Sequence, residues 1–304
     1  MVDNKYALIV PAFISSYPGG EKELFEKMNI QLLPWLKSMA GCTSYNQKEL
    51  DESLRVVPKD PLLQQLIAYL YSCALGTSMK ERKGFPAYIA GYSMGIYAAM
   101  HLSGVLSFEA GIQWIITAYN KMKEAVMGSH YALVSVVGLS KYDVEKLIKD
   151  INGKLEVINQ NNTFSFVIAG RQNEIASFME SSRELGALSV SKIPSGIPYH
   201  TAVLSASTKV LENDFNVVLR QPDIAIKLIS SIDQEILDSK EKAKRELIRN
   251  LITPLNWHQT IRYMLSKGIH TFFECGVGKD LTKMGRFIEG DFKIIPVYKS
   301  KKFI

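Results

Sequence analysis

Ala87-Tyr88-Ile89-Ala90-Gly91-Tyr92-Ser93-Met94-Gly95-Ile96 is the stretch on which the fold turns. Residues 87–90 form a short apolar run of the kind a buried strand needs. Residues 96–102 that follow are rich in alanine and large apolar side chains, as in a buried helix. Between them stands G-x-S-x-G. Strand, tight turn and buried helix in that order are what a doubly wound parallel sheet requires. A serine in such a turn sits on a sharp bend with its hydroxyl exposed, and the two glycines let neighbouring elements pack close. The helix adds free N–H groups and the positive end of its dipole beside the hydroxyl.

Working outward, Ala7–Val10 is a second short buried strand, ended by Pro11, and Gly19-Gly20 precedes a helical pattern over 21–28. Residues 61–75 are apolar on all sides and predict a buried helix. From 131 to 190 the rhythm changes. Strands are expected at 132–137, 155–159, 164–169 and 187–190, with helices at 141–151 and 173–185, which is the split β-α-β-β-α-β order of a ferredoxin-like unit. Beyond it come a loop at 193–200, a long helix at 202–219, a strand at 224–229, helices at 240–251 and from 257, and strands at 271–275 and 293–297. The expected architecture is α/β: a large parallel-sheet domain of residues 1–128 and 195–304, with residues 129–194 inserted as a smaller ferredoxin-like subdomain.

A chain of 304 residues, 47% hydrophobic and 22% charged, can bury a sizeable core. Its net charge of +6 comes from dispersed lysines and arginines interleaved with acids, which argues against a nucleic-acid-binding stripe. Cys42, Cys73 and Cys275 lack C-x-x-C spacing, so neither a disulfide framework nor a zinc site is expected. The N-terminal residues lack a signal-peptide layout and no apolar run is long enough to span a bilayer, so the reading is cytoplasmic, with no membrane partner.

A serine nucleophile needs a base, and five histidines are available: His101, His130, His200, His258 and His270. His101 lies about two helical turns from Ser93, too far along the axis to reach its hydroxyl. His130 and His270 flank predicted strands. His200 closes the loop Ser195-Gly196-Ile197-Pro198-Tyr199-His200 and leads directly into a helix, where rigid scaffolds present catalytic side chains.

Gly91-Tyr92-Ser93-Met94-Gly95 resembles the G-H-S-x-G of malonyl-CoA:acyl carrier protein transacylases and of fatty acid and polyketide synthase acyltransferase domains. Residues 195–204 resemble that family's S-G-P-F-H-S-P-L-M stretch with one extra residue, which puts its histidine on His200. Further similarity lies at Gly104-Val105-Leu106-Ser107-Phe108-Glu109-Ala110, at Asn161-Asn162 before Val167-Ile168-Ala169-Gly170, and at Glu274-Cys275-Gly276-Val277-Gly278. The resemblance implies an α/β-hydrolase-like large domain carrying a ferredoxin-like subdomain, and an acyl ester on Ser93 with His200 as base. It implies backbone N–H groups of Met94 and Phe13 as the oxyanion hole, and a main-chain carbonyl near Thr253 orienting the histidine. It places Ala118, Tyr92, Tyr199 and Asn161 around the substrate. The implied partners are an acyl carrier protein, acyl-CoA as donor and a polyketide synthase. No cofactor and no metal are implied.

Two departures bear on substrate. The family's N-terminal G-Q-G-S-Q falls on Ala12-Phe13-Ile14-Ser15-Ser16, and its carboxylate-gripping arginine falls on Ala118. An arginine meets a carboxylate with two charge-assisted hydrogen bonds, and alanine makes neither, so a roomier and more apolar pocket is expected. Lys121, about one turn along, is the nearest cation in the sequence. The lost clamp implies a monocarboxylic acyl group and favours a trans-acting acyl hydrolase. Acyl transfer from CoA to acyl carrier protein is the alternative, and a non-catalytic carrier-binding module is the third reading.

Overall fold

The computed structural model describes residues 5–12, 21–151 and 153–299. Its strands are β1 (Ala7–Val10), β2 (Tyr88–Gly91), β3 (Tyr131–Val137), β4 (Glu156–Asn162), β5 (Ser165–Arg171), β6 (Ser189–Ile193), β7 (Lys227–Ile229), β8 (Leu255–Asn256), β9 (Thr271–Glu274) and β10 (Lys293–Pro296). Its α-helices are α1 (Glu21–Lys27), α2 (Leu33–Cys42), α3 (Gln47–Ser53), α4 (Pro61–Lys83), α5 (Gly95–Leu102), α6 (Phe108–Ala125), α7 (Lys141–Ile151), α8 (Gln172–Glu184), α9 (Ser205–Asn213), α10 (Lys240–Ile252), α11 (Trp257–Ser266) and α12 (Asp280–Gly285).

The first sheet has the order β10-β9-β1-β2-β7 and is parallel throughout. Both β1 and β2 are buried along their whole length, as parallel strands covered on two faces must be. Alternation sorts their side chains. Leu8, Val10 and Ile89 join the core under α4, α5 and α6, while Ala7, Ile9, Tyr88 and Ala90 pack on the other face with Trp257, Ile261 and Met264 of α11. Helix α4 starts on Asp60, whose carboxylate accepts from the Leu62 amide, with Pro61 in its first turn. Parallel strands share one C-terminal edge, so Pro11 and Ala12 after β1 and the turns after β2, β7 and β9 gather there, where ligands bind in open α/β sheets.

The second sheet has the order β6-β3-β5-β4-β8, with β6 to β4 antiparallel in the ferredoxin-like sequence and β8 added parallel to β4. Its two faces also separate by alternation. Val134, Val136, Phe166 and Ile168 pack under α7 and α8 with Val144, Ile175 and Phe178, whereas Leu133, Ser135, Val137, Ser165 and Val167 face the first sheet's C-terminal edge. Strand β8 comes from the chain beyond 195, so this sheet is completed by a segment outside 129–194.

Two expected elements differ. The helix expected over 202–219 is a 3-10 turn, Ala202–Leu204, followed by α9, which stops at Asn213. Beyond it the Arg220 amide bonds the Val105 carbonyl and the Asp223 amide bonds that of Ser103, which ties the extended segment after α9 to the connection between α5 and α6. The strand expected from 224 begins only at Lys227. Ile224 is fully exposed, and Asp223 forms a turn by accepting the Ala225 and Ile226 amides.

Candidate active site

The turn after β2 is dictated by its glycines. A Cβ on Gly91 would run into the Ile96 nitrogen, and one on Gly95 into the Val10 carbonyl of β1, backbone atoms that cannot step aside. Ser93, held between them, has φ +54°, a left-handed conformation that L-residues adopt only under constraint. The Tyr92 amide bonds the Val10 carbonyl at 2.8 Å, and Gly95 and Ile96 turn back onto the Tyr92 and Ser93 carbonyls. Met94 is the N-cap of α5, so its N–H lies among the helix-start amides that no intrahelical carbonyl satisfies.

His200 arrives from 107 residues away and places Nε2 2.7 Å from Ser93 Oγ. Its backbone is also left-handed, φ +65°. The His200 amide donates to the Leu251 carbonyl at 2.8 Å, and Thr201 Oγ1 donates to the Pro198 carbonyl, closing the turn that carries it. Burial pulls the imidazole down to about 4, opposed by the main-chain carbonyls of Asn250 and Thr253 at the end of α10. The ring is therefore neutral at pH 7, and its Nε2 lone pair is available to the serine proton. With Nε2 accepting, the proton sits on Nδ1. That atom is buried and makes no hydrogen bond of standard geometry, so the two carbonyls act on the ring through their dipoles.

Ser93 and His200 open onto a cleft of about 260 Å³ between the two sheets, which continues into a second hollow of about 400 Å³. Leu133, Ile158, Val167 and Ile193 give it an apolar wall from the smaller sheet. Tyr92 and Tyr199 line it beside Ser93 and His200, and Asn161 lines the outer hollow. Among the described residues the charged groups on these walls are Lys192, Asp280 and Lys283, the last pair bridged at 3.0 Å. Glu274 fixes the Asp280 wall, its buried carboxylate accepting from the Leu281 and Thr282 amides at 2.9 Å each and so capping α12.

Ala118 is not among the residues lining the cleft; it is buried in the main core on α6. Nor does that side of the site hold extra space. Tyr199 directs its hydroxyl to the Gln65 side chain near Tyr97 and Tyr119, and the hollow behind Met94, lined by Gln65, Tyr97 and Ile115, is about 10 Å³, the size of one water. The expected roomier pocket is instead filled, with Gln65 and Tyr97 among mainly apolar neighbours. Lys121 pairs with Glu124 on the helix surface and lines neither hollow. Phe13 lies outside the described residues.

Several residues of the site were not picked out from sequence. Asn159 Nδ2 donates to the Tyr92 hydroxyl at 2.7 Å, and that hydroxyl donates to Asn161 Oδ1 at 2.8 Å, tying the nucleophile turn to β4. Register shifts on either side of Asn159 and Gln160 break strict alternation in β4, so Ile158 and Asn159 both reach the cleft. The spacing Asn159-x-Asn161 is a signal that could have found Asn159. Ser231 Oγ donates to the Gly91 carbonyl at 2.8 Å and supports the turn from β7; no sequence pattern marks it.

No family model matches the chain. A malonyl CoA-acyl carrier protein transacylase of Staphylococcus aureus is 24% identical over 303 residues, covering 97% of this chain and 96% of that protein. The Bacillus subtilis protein of the same name is 22% identical over 304 residues, covering 97% and 93%. Over almost its whole length the chain is similar to malonyl CoA-acyl carrier protein transacylases. The fold agrees along its length. The transacylase structure from Coxiella burnetii superposes with a TM-score of 0.88 at 22% identity, covering 99% of this chain and 96% of that one. A malonyl-transacylase solved with its type II polyketide synthase acyl carrier protein gives 0.89 at 20% identity, covering 98% and 97%. In this chain the G-x-S-x-G turn leaves the C-terminal end of β2, and His200 meets it there. Among the described residues no helix is long and apolar enough to cross a membrane, and no three metal-binding side chains cluster.

Proposed function

We propose that the protein transfers an acyl group from CoA to an acyl carrier protein through an ester on Ser93. The observation that carries this is the 2.7 Å Ser93 Oγ–His200 Nε2 contact at the mouth of the cleft. Ser93 Oγ attacks the thioester carbonyl and its proton passes to His200 Nε2; the C–S bond breaks and the CoA sulfur leaves with that proton. The carrier's thiol then gives its proton to His200, its sulfur attacks the ester carbonyl, and Ser93 recovers the proton as it leaves. The Met94 N–H, at the start of α5, is one donor for the oxyanion. Phe13 supplies the second in this proposal, and the carbonyls of Asn250 and Thr253 keep the proton on Nδ1.

Transfer moves ahead of the hydrolysis that the missing arginine favoured, because the full-length relatives are transacylases and a fold neighbour was solved with its carrier protein. The acyl group we assign is uncharged. No arginine lines either hollow among the described residues; the cations on the walls are Lys192 and Lys283, the latter paired with Asp280. A malonyl carboxylate without a bidentate partner costs several kcal/mol, and even about 3 kcal/mol corresponds to a preference on the order of a hundredfold. Measuring kcat/KM for acetyl-CoA and malonyl-CoA with an acyl carrier protein, scoring acylated carrier and free acid together, tests both points. Acylated carrier with acetyl favoured is expected. Mainly free acid would restore hydrolysis, and equal or malonyl-favouring rates would remove the assignment of an uncharged acyl group.

A further inference from the structure

A second polar assembly lies behind the Ser93–His200 pair and takes no part in the chemistry above. Glu246, on α10, is 1% exposed. Its Oε1 accepts from Ser230 Oγ at 2.8 Å, and its Oε2 is buried with no partner. Ser230 also accepts the Ile232 amide, and its neighbour Ser231 holds the Gly91 carbonyl from which the nucleophile turn departs. One helical turn beyond Glu246, Asn250, Leu251 and Thr253 present the carbonyls that act on His200. Glu246 therefore stands where the support of the base meets the support of the nucleophile.

We infer that Glu246 is a positioning residue for this pair: its neutral carboxyl locks α10 against the 230–231 turn, and loss of its proton loosens the lock and slows Ser93. This rests on the serine mechanism proposed above. The groups that act on the carboxyl are the Ser230 hydroxyl, Arg249 on its own helix, and Asp233 and Glu235 on the turn after β7. Arg249 is already paired with Asp233 at 2.7 Å and Glu235 with Lys242 and Arg245. Burial pushes the carboxyl up to about 7, against Ser230 and Arg249 and with the help of Asp233 and Glu235. A neutral Oε2 without a partner is a modest cost, whereas an ionised one is a buried charge without a donor, relieved only if α10 shifts and admits water. Because the folded-state value lies above the ordinary glutamate range, the contribution to stability is present at low pH and is lost as pH rises through about 7. The His200 limb, with its value near 4, lies on the other side of neutrality.

The test is the rate at which a fluorophosphonate labels Ser93, followed by intact mass from about pH 5.5 to about pH 9, with Ser93→Ala as the blank. The wild-type rate is expected to fall roughly tenfold across a midpoint near neutrality. Glu246→Gln keeps the acceptor for Ser230 but cannot ionise, so that fall is expected to vanish. Ser230→Ala removes the hydroxyl through which the carboxyl holds the turn, so it should label roughly tenfold more slowly at low pH and lose most of the fall, which provides an independent readout if the glutamine variant does not fold. A wild-type profile with no fall, or the same fall in Glu246→Gln, overturns the role of Glu246. Absence of Ser93 labelling at every pH instead overturns the serine mechanism itself, so the two failures are distinguishable.

Discussion

Ser93 and His200 share an uncommon backbone conformation, φ +54° and +65°, yet they are held in it by opposite means. The serine is constrained by its immediate neighbours: Gly91 and Gly95 leave room only for backbone, and β1 supplies the Val10 carbonyl that the Tyr92 amide needs. The histidine is constrained from far away in sequence, by the Leu251 carbonyl and the end of α10. A local constraint leaves a contiguous motif in the chain, while a distant one leaves almost none. The two halves of one site should therefore respond differently to substitution.

The largest effects are expected at the proposed nucleophile and base. Ser93→Ala is expected to abolish the acyl adduct and to lower thioester turnover by on the order of a thousandfold or more, with little change in melting temperature. His200→Ala should cost a comparable factor, on the order of a thousandfold, because nucleophile and base act as a unit. Near-normal turnover in either variant would break the pairing on which the comparison rests.

Gly95→Ala addresses the local half. The added methyl meets the Val10 carbonyl, so the strand or the turn has to move, and a loss of about 3 kcal/mol in unfolding free energy is expected. A melting temperature unchanged from wild type would show that the turn is not set by its glycines.

Next is the acid limb. The buried imidazole has a value of about 4, below its ordinary range, so turnover should persist well below pH 6 and fall only as pH approaches 4. In stability terms the depressed value gives a contribution that is present above about 6.5 and is lost as pH falls through about 4. An acid midpoint near 6.5 in kcat/KM would mean that His200 is not buried as a neutral ring.

The smallest effect belongs to the distant half. Thr253 acts on the ring through its main-chain carbonyl, so Thr253→Ala should change kcat by less than about threefold. A loss of a hundredfold would show that the side chain contributes directly.

The same division explains what could be read in the sequence. The strand-turn-helix around Ser93 and the β-α-β-β-α-β order are patterns of neighbours, and the structure has them where periodicity placed them. The proximity of His200 to Ser93 could be ranked from its loop but became specific only through family resemblance. Residues 214–223 defeated the reading because the segment is anchored at Arg220 and Asp223 to the carbonyls of Val105 and Ser103, long-range contacts that no local pattern announces. Strand β4 hid Asn159 because register shifts upset its alternation. Ala118, expected beside the substrate, lies in the main core, a position its helix pattern did not make legible. Nor was the occupant of the space beside Tyr199, the Gln65 side chain from α4, legible.

Strand β8 is only two residues long, yet Asn159 pairs with Leu255 and Gln160 with Asn256, while the Asn256 amide also bonds the Ser231 carbonyl. Residues 129–194 alone would carry the strand order of a complete fold but would leave this edge of β4 bare, a row of unsatisfied amides and carbonyls ready to template another chain. The boundary that looks natural by topology is therefore a poor place to cut. An isolated 129–194 fragment would expose the part of that edge which Leu255 and Asn256 cover in the whole chain.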